Sequence, residues 1–192
     1  MNLLFVDNFD SFSFNIVHAL AATGAKVEVK THLELDNLSL IDYAGVVIGP
    51  GPGTPSQSGD LLPFMQRASQ QKPLFGICLG MQAMGELAGA RLQHAGVPMH
   101  GKPSVIRHSG TRVFASMPAE MQVGRYHSLI LTGLDASQAN VLATTADGEC
   151  MAIEWKVGSL THVGVQFHPE SILTPDGYTL VRNWVEGLVK GR

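Results

Sequence analysis

Apolar and polar positions follow two regimes along this chain. In the first half, short apolar runs alternate with stretches of helical period. Asn2 to Val6 is a run of β-formers that breaks at Asp7-Asn8-Phe9-Asp10-Ser11. Over Phe12 to Ala22, Phe12, Ile16, Val17, Leu20 and Ala21 recur at helical spacing, with Asp10 or Ser11 as the expected cap and Gly24 as the stop. Lys26 to Lys30 alternates with the period of a half-buried strand. Gly45-Val46-Val47-Ile48 is continuously apolar, as a strand buried on both faces of a parallel sheet must be, and it runs into Gly49-Pro50-Gly51-Pro52-Gly53-Thr54-Pro55. Leu61 to Ala68 predicts a helix and Pro73 to Ile77 another buried strand, followed by a helix ending near Gly89. Strands alternating with helices predict an α/β fold, an open, mostly parallel twisted sheet with helices on both faces.

The second half changes period. Between about Ala90 and Phe167, short alternating runs such as Ser104-Val105-Ile106, Met151 to Trp155 and Thr161 to Phe167 are separated by Gly, Asp and Pro turns. They predict antiparallel or mixed strands added to the sheet. Tyr178 to Val189 reads as a closing helix with Leu180, Val181, Trp184, Val185 and Leu188 on one face. Without a repeat or linker, the 192 residues are expected to form a single domain, 1–192.

Composition narrows the function classes. Apolar residues make up 45% and charged residues 15%, which excludes a disordered or solvated coiled-coil chain. The formal charge of -3 is spread without blocks, so no nucleic acid partner is expected, because phosphate binding needs a basic face. Leu3-Leu4-Phe5-Val6 lacks a basic lead and is broken by Asp7, and no apolar segment approaches the roughly 20 residues that span a bilayer. A cytoplasmic protein without membrane association is the expectation. Two cysteines, Cys78 and Cys150, do not make a disulfide framework.

Gly76-Ile77-Cys78-Leu79-Gly80 has the spacing of a nucleophile elbow with cysteine in place of serine. A sharp strand-to-helix turn that projects one side chain needs small residues two before and two after it, and a thiol at a helix N-terminus lies at the positive end of the helix dipole, which favours thiolate. Taken alone, the pattern serves equally for a buried structural cysteine between packing glycines. A nucleophile needs a base and a group to orient it. Of eight histidines, His168 stands out in His168-Pro169-Glu170: Pro169 biases it toward extended backbone, where residues two apart share a side, so Glu170 can reach one ring nitrogen while the other faces Cys78. Alone, that triplet reads as an exposed turn; paired with the elbow it reads as catalytic. The Gly49–Pro55 loop closes a parallel strand at the edge where such sheets bind ligands and is either an oxyanion hole or a rigid turn. It lacks the Gly-Lys-Ser/Thr ending of a phosphate loop, and His162 with His168 finds no third ligand at metal spacing, so neither nucleotide nor metal is expected here.

DNFDSF (7–12), GPGPGTP (49–55), GICLGMQ (76–82), HGK (100–102), RYHSL (125–129) and QFHPES (166–171) together resemble the class I glutamine amidotransferases, in particular the glutaminase subunits that serve chorismate-using synthases. The likeness runs from the first strand to the last helix. It implies a Cys78-His168-Glu170 triad that hydrolyses the side-chain amide of glutamine and passes ammonia to a partner. Backbone N–H groups of Gly53 and Leu79 would hold the oxyanion, and Gly51, Pro52, Gln82, Ser128 and Leu129 match glutamine-binding positions. The implied partner is a chorismate-binding synthase subunit making anthranilate or aminodeoxychorismate. No cofactor is implied on this chain; Mg2+ is expected only on the partner. Met81 and Gly49 depart from the common pattern, where His and Ser stand, and GICLGMQ also resembles the glutaminase of imidazole glycerol phosphate synthase. The remaining alternatives are a cysteine peptidase on the same scaffold and a catalytically silent docking subunit.

Overall fold

The computed structural model describes residues 1–190. In chain order it contains β1 (Asn2–Asp7), α1 (Ser13–Ala21), β2 (Lys26–Thr31), β3 (Gly45–Ile48), α2 (Leu61–Ala68), β4 (Leu74–Ile77), α3 (Leu79–Leu87), β5 (Arg91–His94), β6 (Lys102–His108), β7 (Glu120–Arg125), β8 (Leu129–Thr132), β9 (Ala139–Thr145), β10 (Cys150–Val157), β11 (Leu160–Val165) and α4 (Gly177–Lys190). Nine strands form one sheet in the order β2-β1-β3-β4-β11-β10-β9-β6-β7, and β5 pairs with β8 separately. From β2 to β11 the pairs are parallel; from β11 to β7 they are antiparallel. The α/β fold with an antiparallel region added in the second half is thus the fold observed.

The continuous apolar runs have a direct cause. In β1, Leu3 and Phe5 pack on one face with α1 and α4, while Leu4 and Val6 pack on the other with α2 and α3, and all four are fully buried. Successive strand residues point to opposite faces, so a sheet covered on both sides needs apolar residues at every position. Trp184 of α4 stacks on Phe75 of β4 at 5.4 Å between centroids. Met81 fills the opposite face, its Cβ and Cγ 2.9 Å from where a Cβ on Gly164 would stand. Its place is therefore a packing position against β11, whose glycine leaves it room. The small β5–β8 sheet lies over α3, with Leu131 above Gly85.

Helix starts are organised differently from the expectation at α1. Phe12 occupies the cap position, and among the described residues its side chain makes no capping hydrogen bond. Asp10 instead accepts the Phe12 N–H at 2.8 Å, and Ser13 donates its hydroxyl to Asp7 at 2.5 Å, so the acidic residues tie the preceding loop.

Candidate active site

Cys78 is the junction of β4 and α3 and has φ +53°, ψ -103°, a conformation that costs a non-glycine residue free energy. Its neighbours explain how it is held. A Cβ on Gly76 would stand 2.5 Å from the Gly80 carbonyl carbon, and a Cβ on Gly80 would stand 2.4 Å from the Ile48 carbonyl oxygen. Strand and helix therefore approach too closely for any side chain at either position. The Cys78 N–H donates to Val165 O at 2.8 Å, which ties the elbow to β11, and the Gln82 N–H donates to Cys78 O at 3.0 Å.

β11 lies parallel to β4, so the residues after it leave the sheet beside Cys78. His168 pairs with Gly124 through its N–H at 3.0 Å, and its carbonyl accepts the Thr174 hydroxyl at 2.7 Å. His168 Nδ1 and Glu170 Oε1 are 2.6 Å apart, with both side chains almost fully buried. This contact was expected from extended backbone, but a turn makes it: the Ser171 N–H closes onto His168 O at 3.2 Å. Gly177 permits the turn, since a Cβ there would meet the Pro169 carbonyl oxygen at 1.8 Å. Burial alone pushes His168 below its ordinary value, but hydrogen bonds to Cys78 and Glu170, and the charge of both, outweigh it and raise the pKa to about 10. Tyr126 stands edge-on to the His168 ring at 4.9 Å and Phe12 at 6.3 Å. Among the described residues, Glu170 Oε2 is buried without a hydrogen-bond partner.

The glycine-proline loop reaches the same place from β3. Asn8, at the end of β1, donates its amide to Gly49 O at 2.8 Å. Gly51 packs so closely on Asn8 and Leu79 that a Cβ would lie 2.5 Å from Asn8 Cβ and 2.8 Å from Leu79 Cδ2. Gly53 has φ +74° and lies on the exposed rim with Pro52; Thr54 and Gln57 cap the short helical turn Pro55–Gln57 behind it. The loop thus brings Gly51 onto Leu79, the residue after the candidate nucleophile.

Gln82 is buried on α3, its Nε2 3.4 Å from Leu129 O and 3.2 Å from Gln166 Oε1. Ser128 is exposed, and its carbonyl accepts the Ala95 N–H at 2.8 Å, which anchors the segment carrying Leu129. Sequence reasoning assigned no role to Gln166, Arg125, His127 or Asn8, although each lies inside a quoted motif. Gln166 Nε2 is 3.6 Å from Cys78 Sγ. Its signal was the strand period, which puts residue 166 on the side of residue 168. Arg125 and His127 gave no such signal, because their burial depends on Glu149, 24 residues from Arg125: Arg125 is buried, ion-paired with Glu149, and donates to His127 Nε2 at 3.0 Å. Burial and then the Arg125 charge push His127 down to about 4. Among the described residues no group of three or more His, Cys, Asp or Glu is placed to hold a metal ion.

At this level of geometry the chain can be compared with known proteins. Residues 4–188 match the family model of class-I glutamine amidotransferases. The chain is 39% identical over 186 residues to aminodeoxychorismate synthase component 2 of Klebsiella aerogenes, covering 95% of this chain and 98% of that one. It is 38% identical over 194 residues to anthranilate synthase component 2 of Haemophilus influenzae, covering 98% of each. Among solved structures, a Thermoplasma acidophilum protein assigned provisionally to GMP synthase superposes with a TM-score of 0.88 at 22% identity, covering 100% of this chain and 96% of that one. A glutamine amidotransferase of Thermotoga maritima superposes with a TM-score of 0.76 at 17% identity, covering 99% and 98%. These two likenesses concern the fold.

Proposed function

This chain belongs to the class-I glutamine amidotransferases, and from that premise we propose that Cys78, His168 and Glu170 hydrolyse glutamine and that the ammonia passes to a chorismate-using synthase subunit. Cys78 Sγ attacks the amide carbon of glutamine. His168, held by Glu170, gives its proton to the departing nitrogen, so ammonia leaves and a glutamyl thioester remains. His168 then takes a proton from water, whose oxygen attacks the thioester, and returns it to the sulfur as glutamate departs. N–H groups of Gly53 and Leu79 hold the oxyanion in both tetrahedral stages. Gly51, Pro52, Gln82, Ser128 and Leu129 hold the substrate glutamine.

One observation carries this reading: a strained cysteine at the strand-to-helix junction lies close enough to a buried histidine to help raise its pKa, and that histidine's Nδ1 lies 2.6 Å from a buried carboxylate. Support for a partner comes from the relatives, which are named as second components of synthases. Anthranilate is the product we propose. Aminodeoxychorismate is the second reading, favoured by the 39% identical relative of that name.

The test is reconstitution of the full chain with each synthase subunit. Cys78→Ser should abolish glutamine-dependent product while ammonia-dependent synthesis by the partner survives. Glutamine-dependent synthesis by the Cys78→Ser complex at the unaltered rate would overturn the triad. Which synthase yields product decides between the two readings, and a chain that takes no label from a glutamine analogue at Cys78 in either complex would be a docking subunit instead.

A further inference from the structure

Behind the candidate nucleophile runs a chain of buried polar groups whose directions are all determined. Arg125 is 2% exposed and a guanidinium only donates. It pairs with Glu149 and lies 3.4 Å from Ser104 Oγ. Its Nε–H points at His127 Nε2 at 3.0 Å, so that nitrogen accepts and the neutral ring carries its proton on Nδ1. That N–H donates to the carbonyl oxygen of Leu129 at 3.0 Å. The same oxygen, which only accepts, faces Gln82 Nε2 at 3.4 Å and so fixes which end of the Gln82 amide carries hydrogen. The second Gln82 N–H goes to Gln166 Oε1 at 3.2 Å. Gln166 is left with its NH2 end toward Cys78 Sγ, 3.6 Å away. Turning over either amide or the ring sets donor against donor or acceptor against acceptor, which is costly where Gln166 is 0% and Gln82 3% exposed.

We infer that Gln166 is a positioning residue for the nucleophile, aiming an N–H at the Cys78 sulfur, and that Arg125 and His127 act through it. The inference rests on the reading of Cys78 as nucleophile. A donor to sulfur stabilises the thiolate over the thiol and restrains its direction of attack. The other titratable group facing the thiol is His168, with Glu170 behind it. His168 must give up its proton during the reaction, whereas the Gln166 amide keeps its hydrogens throughout, so the sulfur retains one donor at every stage.

The test is alkylation of Cys78 by iodoacetamide in the full chain, followed by mass spectrometry between pH 5 and 10. Gln166→Met, which keeps the shape and loses the N–H, should slow alkylation about tenfold at pH 7, with the difference closing at high pH where the thiolate forms unaided. Gln166→Glu, which sets an acceptor against the sulfur, should slow it further. His127→Leu should slow it about threefold, and His127→Asn, whose amide still offers a donor to Leu129 O, should restore it. A Gln166→Met rate equal to the unaltered chain across the whole pH range would overturn the inference, and if that variant fails to fold, the Glu variant decides by the same criterion. An unaltered chain in which Cys78 reacts at pH 7 no faster than free glutathione would instead overturn the nucleophile reading, and the inference with it.

Discussion

The two halves of the large sheet solve opposite problems. At the carboxyl ends of β1, β3, β4 and β11 the backbone is crowded: Gly49, Gly51, Gly76 and Gly80 all stand where a Cβ would lie under 3.0 Å from a neighbour. In the antiparallel half the work is done by ion pairs, the buried Arg125 with Glu149 across β7 and the β9–β10 turn, and the buried Glu154 with the exposed Arg112. The candidate site lies where backbones meet, and the other half braces it. The histidines divide by environment, not by half: His168 is raised to about 10, whereas burial lowers His127, and His162 within β11 itself, to about 4. A crowded site with strained backbone and a paired imidazole is thus set against a brace in which the buried His127 is held neutral.

The sharpest way to break the comparison is to add one methyl group to the crowded half. Gly80→Ala drives a Cβ toward the Ile48 carbonyl oxygen, 2.4 Å away, and should destabilise by about 4 kcal/mol or more with loss of glutamine turnover, measured by urea denaturation and glutaminase assay. Next, Glu149→Ala in the bracing half leaves Arg125 buried and unpaired and should cost about 3 kcal/mol. The crowded glycines stay untouched in that variant, so where it remains folded glutamine turnover should fall no further than the roughly threefold expected for His127→Leu, because Arg125 can still donate to His127.

pH separates the paired histidine from the buried neutral ones by sign. For His127 and His162 the folded pKa lies below the unfolded value near 6.5, so the unfolded chain binds more protons and their contribution, present above about pH 6.5, is lost as pH falls through about 4. Each should account for roughly 2 to 3 kcal/mol of acid destabilisation. For His168 the folded pKa lies above it, so that contribution is fully present below about pH 6.5 and is lost as pH rises through about 10. Denaturation midpoints from pH 3 to 11 should fall at both ends. Cys78→Ser should flatten only the alkaline limb, because Cys78 is among the groups that hold the His168 proton, and His162→Gln only the acid limb.

The smallest effect belongs to the second cysteine. Burial pushes the Cys150 thiol up to about 12, and its Sγ faces Ala152 O at 3.7 Å. Cys150→Ala should cost about 1 kcal/mol and leave glutamine turnover unchanged, and Cys150 should resist iodoacetamide at pH 7 while Cys78 reacts. Equal reactivity of the two would erase the distinction between the halves.

Much of the parallel half was legible in the chain itself. Leu61 to Ala68 and Gly45 to Ile48 agree with α2 and β3 residue for residue, because two-sided burial forces continuous apolar runs and one-sided burial a helical stripe. The antiparallel half was harder to read. β5, β7, β8 and β9 escaped individual prediction, since the outward positions of RLQH and EMQVGR are polar, ANVLATT breaks strict alternation at the exposed pair Asn140-Val141, and a four-residue strand has too few periods to register. Of the site, Cys78 with its glycines and the His168-Glu170 spacing were visible, because elbow and orienter are local patterns.

Local chemistry therefore determined the kind of fold, the elbow and the base beside its carboxylate, all set by residues within a few positions of one another. Tertiary structure alone decided that His168 stands beside Cys78, that a turn and not extended chain delivers Glu170, and that Arg125 reaches the sulfur through His127, Leu129, Gln82 and Gln166. The physical reason is that a hydrogen bond is chosen by distance and direction in space, and the groups that complete this chain come from β7, β8, α3 and the end of β11, elements that only the closed sheet brings together.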